Sequence, residues 1–343
     1  MNGMNPQSLG YVVITDYVAA GTGCDVSDDI QRVIDEHPMR TIFFPDGEYI
    51  LGKPICTSAN PKHAVALQLS NFAVLKAADD WAHTEAMVRL GAAEPYNTIT
   101  VNGSNYYFSG GIVDGNMRAN GIAIESGRET IVRNVSIKHT FIGLHIKHGA
   151  NFGSSDADIE TVNIVGNNKR DSIGVLIEGY DNTLTNMRIY AVQTGVVLKS
   201  GGNFLRNVHP LFCYGYEGAD PTEIDHADSV AFHDYDHTNW YDYCYSDQMA
   251  TGFRLAAGSR ATLMNCFAMW YWGGSREIAI ACDGKFDATV TNIKVNFRED
   301  TAIHNALLTV GEHGGNGFIE NPIINAEAIT DKTYEAYVVG KIM

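Results

Sequence analysis

The feature that most constrains this chain is a pattern that repeats without a gap. Residues 174–189 (GVLIEGYDNTLTNMRI) and 195–210 (GVVLKSGGNFLRNVHP) match in shape when they are aligned with an offset of 21 residues. Glycine, apolar residues and asparagine recur at fixed places, whereas charge does not, since Glu178 aligns with Lys199. A chain that repeats a pattern rather than its exact residues repeats a structural unit.

The same pattern recurs along much of the chain. Copies occupy residues 121–137, 174–189, 195–208, 252–267 and 277–295, and looser copies occupy 143–165 and 230–245. The first segment of each copy alternates apolar and variable residues, which indicates a β-strand. A repeat of roughly 20 to 30 residues built from short strands predicts a solenoid, in which stacked rungs share one core.

Asparagine begins the second segment of most copies. Asparagine tolerates the left-handed backbone of a tight corner, and stacked side-chain amides can bond to one another along a solenoid. The predicted corner residues are Asn134, Asn163, Asn186, Asn207, Asn265 and Asn292.

The N-terminal region resembles a known family. Residues 15–35 (TDYVAAGTGCDVSDDIQRVID), 42–55 (IFFPDGEYILGKPI) and 110–116 (GGIVDGN) are similar to the N-terminal cap and first rungs of the pectate-lyase-like superfamily. The resemblance implies an all-β fold, a right-handed parallel β-helix whose short amphipathic capping helix is capped by Asp28 and Asp29. It also implies a homotrimer.

The resemblance and the repeat together predict one β-helix domain over residues 1–343. Its predicted parts are the cap and first rung at 11–55, central rungs at 100–300, a loop insertion at 209–248, and irregular last rungs with a C-terminal cap at 301–343.

Charge and cysteine spacing narrow the classes of partner. The formal net charge of −16 disfavours nucleic acid and anionic membranes, because binding a polyphosphate requires a basic face. The six cysteines lack zinc-type spacing, and the N-terminus lacks the basic and apolar regions of a signal peptide. We therefore expect reduced thiols, no metal, no cofactor, and a cytoplasmic location, or a secreted one if a signal peptide has been removed.

Outward residues of successive first strands are predicted to stack into columns. One predicted column is Glu125, Lys147, Glu178, Lys199, His233 and Ala256, and the column beside it is Ala123, His145, Leu176, Val197, Ala231 and Arg254. A carboxylate between two ammonium groups favours its ionised form, so we expect a lowered pKa for Glu178. Such a column is also typical of a solvated charge ladder without any function.

Residues 209–248 interrupt the repeat and are rich in carboxylates, histidines and aromatic rings. Paired carboxylates carry out glycosidic chemistry, aromatic rings stack on sugars, and a loop insertion can form the wall of a groove. The predicted catalytic residues are Glu178, Asp228, Asp234 and Asp236. The predicted substrate-binding residues are Lys147, Lys199, His209, His233, Trp240, Arg254, Trp270 and Trp272.

These residues favour a carbohydrate-active enzyme that cleaves or transfers glycosyl groups of an oligosaccharide or polysaccharide. The GHG and RIK motifs of polygalacturonases are absent, and the DD pairs at 28–29 and 79–80 lie outside the central rungs. Hydrolase and fructosyltransferase relatives therefore both remain open, including one that resembles inulin fructotransferase.

Two further hypotheses belong to other classes. A polysaccharide lyase would need a base, here Tyr235 or Tyr241, and a cation beside the uronate carboxylate, here Lys147, Lys199 or Arg254. A tailspike-like module that binds glycans without turnover is the third hypothesis.

Overall fold

The computed structural model describes residues 6–95, 107–148, 153–213, 223–271, 277–297, 305–325, 329 and 331–339. Contacts divide the chain into two units, residues 1–167 and residues 168–343. The prediction of a single continuous domain stays a prediction. Within each unit the strands pair in parallel and form three sheet faces per rung, which confirms the predicted all-β, right-handed parallel β-helix.

One α-helix, Ser27–Glu36, lies in the described part of the chain. Its apolar positions recur with helical spacing and are buried, as predicted for a capping helix: Ile30, Val33 and Ile34. Short 3-10 helices occupy Pro6–Leu9, Ile14–Asp16, His226–Asp228 and Thr333–Tyr337. No helix among the described residues has the length and apolar character needed to span a membrane.

The capping helix begins differently from the prediction. Asp28 and Asp29 lie in its first turn, where negative charge is favourable near the positive end of the helix dipole. The carboxylate that fixes the start belongs to Asp25, whose Oδ1 accepts the backbone N–H groups of Ser27 at 2.9 Å and Gly52 at 2.8 Å. The predicted capping role of Asp28 and Asp29 is therefore wrong.

Unit 1 contains three sheet faces. The first sheet comprises Ile55–Cys56, Ala86–Leu90, Asn120–Ile124 and Ile142–Ile146. The second comprises Val12–Val13, Thr41–Phe44, Ala66–Leu69, Tyr107–Ser109 and the first parts of Ile131–Thr140 and Asp158–Gly166. The third comprises Gly47–Leu51, Ala73–Ala77, Ile112–Asp114 and the second parts of those two long strands. Gly127–Arg128 and Ser154–Ser155 form a separate pair.

Unit 2 repeats the arrangement. Its first sheet comprises Ile173–Ile177, Thr194–Leu198, Val230–Asp234, Thr251–Leu255, Ile278–Cys282 and Ala306–Val310. The second comprises the first parts of Thr183–Tyr190 and Phe204–Leu211, then Trp240–Asp242, Thr262–Met264, Thr289–Thr291, Phe318–Glu320 and Val338–Val339. The third comprises the second parts of those two long strands, then Tyr245–Asp247, Phe267–Trp270, Lys294–Phe297 and Ile323–Ile324.

The corner between the second and third sheets uses a left-handed residue, as predicted. In unit 2 the corner residues have φ between 50° and 57° and are Asn186, Asn207, Tyr243, Asn265, Asn292 and Asn321. The predicted amide bonds also form, since Asn207 Nδ2 donates to Asn186 Oδ1 at 2.8 Å. In unit 1 Thr161, rather than the predicted Asn163, takes the left-handed corner beside Asn134.

The register of one rung differs from the prediction by two residues. Val196 pairs with Phe232, Val197 with His233 and Leu198 with Asp234. His233 therefore stacks between Val197 and Arg254, and Tyr235 rather than His233 follows Lys199 in its column. A shift of two residues preserves the alternation of inward and outward residues along the strand, so the alternation alone could not reveal it.

Candidate functional site

Three turns of unit 2 lie in register just past the first sheet. They follow the aligned strand ends Ile177, Leu198 and Asp234, and their sequences are EGYD at 178–181, KSGG at 199–202 and YDHT at 235–238. Successive rungs of a solenoid are about 4.8 Å apart, so the outer two turns flank the middle one at roughly 10 Å from each other.

The middle turn has two glycines at the places that the carboxylates of its neighbours reach. A Cβ atom at Gly201 would lie 2.6 Å from Asp236 Oδ1 and 2.5 Å from Thr238 Oγ1, and one at Gly202 would collide with the Asp181 carboxylate. The two glycines thus let the carboxylates of both flanking turns lie directly against the middle turn. We call this feature, Gly201 and Gly202 with Asp181 and Asp236 on either side, the glycine notch.

A buried ladder of side-chain amides holds the three turns from beneath. Asn182 Nδ2 donates to Asn203 Oδ1 at 2.8 Å, and Asn203 Nδ2 donates to Asn239 Oδ1 at 3.0 Å. The same amides reach the turns, because Asn203 and Asn239 each donate to the Ser200 carbonyl at 3.0 Å. All three are fully buried, so the ladder fixes the backbone around the notch.

Asp234 ends this ladder inside the core. Its side chain is fully buried in an inward position that Leu198 and Leu255 occupy in the adjacent rungs. Asp234 Oδ1 accepts from Asn239 Nδ2 at 2.9 Å and from the backbone N–H of Asp236 at 3.0 Å. The Tyr241 hydroxyl donates to Asp234 Oδ2 at 2.8 Å.

Burial governs the protonation of Asp234 and Tyr241. Desolvation raises the pKa of Asp234 to about 6, although the hydrogen bonds from Tyr241, Asp236 and Asn239 oppose the rise. The predicted outer-face position of Asp234 is therefore wrong, because its carboxylate anchors the turn from inside and is not exposed to a substrate. Tyr241 is also fully buried, and burial raises its pKa well above the usual value, which excludes it as a lyase base.

The rim of the notch combines charge with exposed rings. Lys199 Nζ lies 3.1 Å from Glu178 Oε1, an ion pair between neighbouring rungs. Tyr180 is 45% exposed and Tyr235 is 53% exposed, one on each flanking turn. A sugar ring entering the notch would therefore meet carboxylates and aromatic surface together.

The adjoining outward column continues this surface. The His233 ring stacks on Tyr235 with centroids 4.0 Å apart, and Arg254 Nε lies 3.1 Å from Asp283 Oδ1. Burial and, to a smaller extent, the Arg254 charge lower the pKa of His233 to about 4, and the Asp283 charge opposes the shift. His233 is therefore neutral at pH 7 and contributes hydrogen bonding rather than charge.

Asp228 does not join the other predicted carboxylates. It lies in the 3-10 helix before Val230–Asp234, with Arg170 Nη1 at 3.8 Å from its Oδ2. Glu178 follows the opposite end of the first-sheet strands, and a strand of five residues spans about 16 Å. These two residues therefore cannot act on the same bond.

The remaining predicted binding residues are dispersed. Trp270 is fully buried, with Nε1 donating to the Met249 carbonyl at 2.7 Å, so its predicted contact with substrate is wrong. Lys147 pairs with Glu125 at 2.9 Å in unit 1. On the third sheet His209 is half-buried and stacks on Tyr245 with centroids 4.1 Å apart.

Two of the predicted tryptophans have other outcomes. Trp240 is 41% exposed and points outward from the second sheet. Trp272 lies outside the described residues.

Sequence reasoning missed Asp181. The signal was present, because the ungapped alignment of 174–189 with 195–210 places Asp181 on Gly202, one of the positions where the copies differ. Asp181 also has a left-handed backbone with φ of 59°. Among the described residues no group of three or more His, Cys, Asp or Glu side chains could hold a metal ion.

Comparison with known proteins yields one curated relative at the level of sequence. Polygalacturonase QRT3 of Arabidopsis thaliana is 32% identical over 95 residues, which are 28% of this chain and 15% of the relative. No family model matches the chain.

Comparison of structures supports the fold. An endo-xylogalacturonan hydrolase from Aspergillus tubingensis has a TM-score of 0.63 at 12% identity, with 97% of this chain and 99% of that chain covered. ORF18 of Geobacillus virus E2 has a TM-score of 0.61 at 12% identity, with 92% of this chain and 62% of that chain covered. These likenesses show the fold of the chain, a right-handed parallel β-helix, and its N-terminal motif resembles that of the pectate-lyase-like superfamily.

Proposed function

We propose that the chain is a glycoside hydrolase acting on a polysaccharide, with the glycine notch as its active site. The observation that carries the proposal is the pair Asp181 and Asp236 on opposite sides of Gly201 and Gly202. The sequence likeness to a polygalacturonase and the fold likeness to an endo-xylogalacturonan hydrolase support the same reaction class.

The spacing of the two turns favours one stereochemical course. The turns are two rungs apart, roughly 10 Å, with the middle turn between them, and inverting glycosidases hold their carboxyl groups farther apart (~6.5 to 9.5 Å) than retaining ones (~5 Å) to leave room for a water molecule. One carboxylic acid would protonate the leaving oxygen, and the other carboxylate would activate a water molecule on the opposite face of the sugar. The product is expected to have the inverted anomeric configuration.

The other residues of the rim have supporting roles in this proposal. Tyr180 and Tyr235 offer exposed rings against which a sugar can stack. The Glu178 and Lys199 pair presents a fixed hydrogen-bonding group at the edge of the notch. The buried amide ladder keeps these groups in place before substrate arrives, which is the condition for efficient positioning.

Product analysis on a panel of fructans, neutral plant glycans and uronates tests the proposal. We expect new reducing ends from at least one polymer, and loss of turnover in Asp181→Asn and Asp236→Asn. Asp171→Asn is the matched control, because Asp171 is also exposed and left-handed, with φ of 67°, but lies in a different loop. Normal turnover in both notch variants, with turnover in the wild-type protein, would remove the notch as the active site.

A lyase is the second candidate, because one observation favours it. Tyr235 is exposed and follows Lys199 in the same column, so a phenolic base and an ammonium group lie on adjacent rungs. Elimination beside a uronate would leave an unsaturated sugar that absorbs ultraviolet light, whereas hydrolysis would not. Tyr235→Phe would abolish that absorbance while Asp181→Asn would spare it, the reverse of the hydrolase expectation.

A further inference from the structure

Tyr243 occupies a corner that is costly for a tyrosine. Its φ is 53°, a left-handed conformation in which bulky residues are uncommon. The equivalent corners of the other rungs of unit 2 hold asparagine, namely Asn186, Asn207, Asn265, Asn292 and Asn321. Residues held in unfavourable backbone regions cluster at binding sites, so an exposed tyrosine that replaces asparagine here points to a function.

The side chain of Tyr243 is presented to solvent rather than used for packing. It is 59% exposed, and Trp240, three residues earlier on the same rung, is 41% exposed. At about 3.3 Å per residue the two positions are roughly 10 Å apart along the surface. Flat exposed rings at this spacing form an apolar track without a protein partner among the described residues.

The groups around this track are polar but balanced in charge. Asp242, between the two rings in sequence, lies 3.7 Å from Arg206 and accepts from Asn265 Nδ2 at 3.2 Å. Trp240 pairs across rungs with Phe204 on one side and Thr262 on the other. Aromatic faces beside amide and hydroxyl groups suit a ligand that has apolar faces and many hydroxyl groups.

We propose that Trp240 and Tyr243 form an auxiliary polysaccharide-binding site on the second sheet, separate from the glycine notch. The ligand is an uncharged stretch of a glycan chain, because the one ion pair in the track is internally neutralised. The class of ligand rests on the proposed function, whereas the location rests on the left-handed Tyr243 and the exposed Trp240. The site retains long chains, and short oligosaccharides that fill the notch alone do not need it.

Affinity electrophoresis in gels containing each polymer of the panel tests this site. We expect retardation of the wild-type protein by at least one polysaccharide, and a loss of affinity of about tenfold in Tyr243→Asn, equivalent to ~1.4 kcal/mol. Trp240→Ala should lose affinity similarly. Tyr243→Asn restores the residue of the other corners, so it should fold normally. Phe72→Ala, which removes a 73% exposed ring in unit 1, should bind as the wild type does.

The outcomes separate this site from the proposed function. Lost retardation in Tyr243→Asn with unchanged turnover of short oligosaccharides supports an auxiliary site. Lost retardation in a protein that turns over no glycan supports the site while rejecting the hydrolase. Equal retardation of wild type, Tyr243→Asn and Trp240→Ala would overturn the site, and so would the absence of any retardation of the wild-type protein.

Discussion

Unit 1 and unit 2 both carry cross-rung ion pairs at the outer edge of their first sheets, but the two edges differ in how the remaining side chains are arranged. In unit 1 Arg89 makes a bidentate pair with Glu125 at 2.7 and 3.0 Å, and Lys147 adds a third contact at 2.9 Å. The Glu125 side chain is only 16% exposed. In unit 2 the corresponding edge carries the glycine notch, whose carboxylates and tyrosines face solvent.

The same rung therefore supports two different surfaces. Both units stack strands with the same alternation, and both place charged residues just after the strand ends. Long side chains that reach the next rung close the surface of unit 1 and satisfy one another. In unit 2 Gly201 and Gly202 have no side chains, and the carboxylates of the flanking turns lie against the middle rung.

Replacing one carboxylate in each region should give the largest effects, and the two effects should differ in kind. Asp236→Asn should lower turnover about 10²- to 10⁴-fold, as expected for loss of a general acid or base. Glu125→Gln should leave turnover unchanged but lower the free energy of unfolding by about 2 kcal/mol, because charged hydrogen bonds are lost. Kinetics and urea unfolding of both variants measure this, and a turnover defect in Glu125→Gln would contradict the contrast.

The buried Asp234 should make the stability of the notch region depend on pH. Its pKa is about 6 when folded against about 3.9 when unfolded, so between these values the folded state binds more protons. Its contribution to stability is therefore fully present below about pH 4 and is lost as pH rises through 6, by ~3 kcal/mol in total.

Asp234→Asn isolates that contribution from those of other groups. We expect the wild-type protein to lose ~3 kcal/mol relative to the variant between pH 4 and pH 7.5, measured by denaturant unfolding at each pH. A constant difference between the two proteins across this range would show that Asp234 does not titrate in the window that its burial requires.

A methyl group added at Gly202 tests whether turnover depends on the position of the Asp181 carboxylate. Gly202→Ala adds a methyl group against Asp181 at φ of 77°, and should lower turnover about tenfold by displacing that carboxylate. Gly21→Ala is the control, because Gly21 has φ of 70° with open space around its Cβ position. Both variants should lose about 1 kcal/mol of stability from backbone strain. Equal turnover in the two would mean that the space in the notch is not used.

The smallest expected effect concerns the corner of the second sheet. Tyr243→Asn should raise the free energy of unfolding by about 1 kcal/mol, because asparagine tolerates the left-handed corner better. Thermal unfolding beside the wild-type protein measures it, with Tyr180→Asn as a control at an exposed tyrosine outside the set of left-handed residues. A loss of stability in Tyr243→Asn would show that the ring packs rather than strains.

Much of the fold was readable from the sequence because the signals are local. Alternation over four or five residues predicted the first-sheet strands of the repeated copies, and the resemblance of the N-terminal region predicted the amphipathic helix at Ser27–Glu36. The site was harder to read. Asp234 looked like an outer-face catalyst because aspartate is seldom buried, and only the donors from Asn239, Tyr241 and Asp236 make its inward position tolerable.

The repeating rung and the asparagine corners could be predicted from the sequence, because each depends on neighbouring residues and on intrinsic backbone preference. The capping helix could be predicted from the resemblance of the N-terminal region. The tertiary structure decided the two-residue register of Val230–Asp234, which alternation cannot distinguish. It also decided that Asp181 and Asp236 both lie against Gly201 and Gly202, because this arrangement joins three rungs. Stacking between rungs brings distant residues together, and no local pattern records which turn will lie beside which.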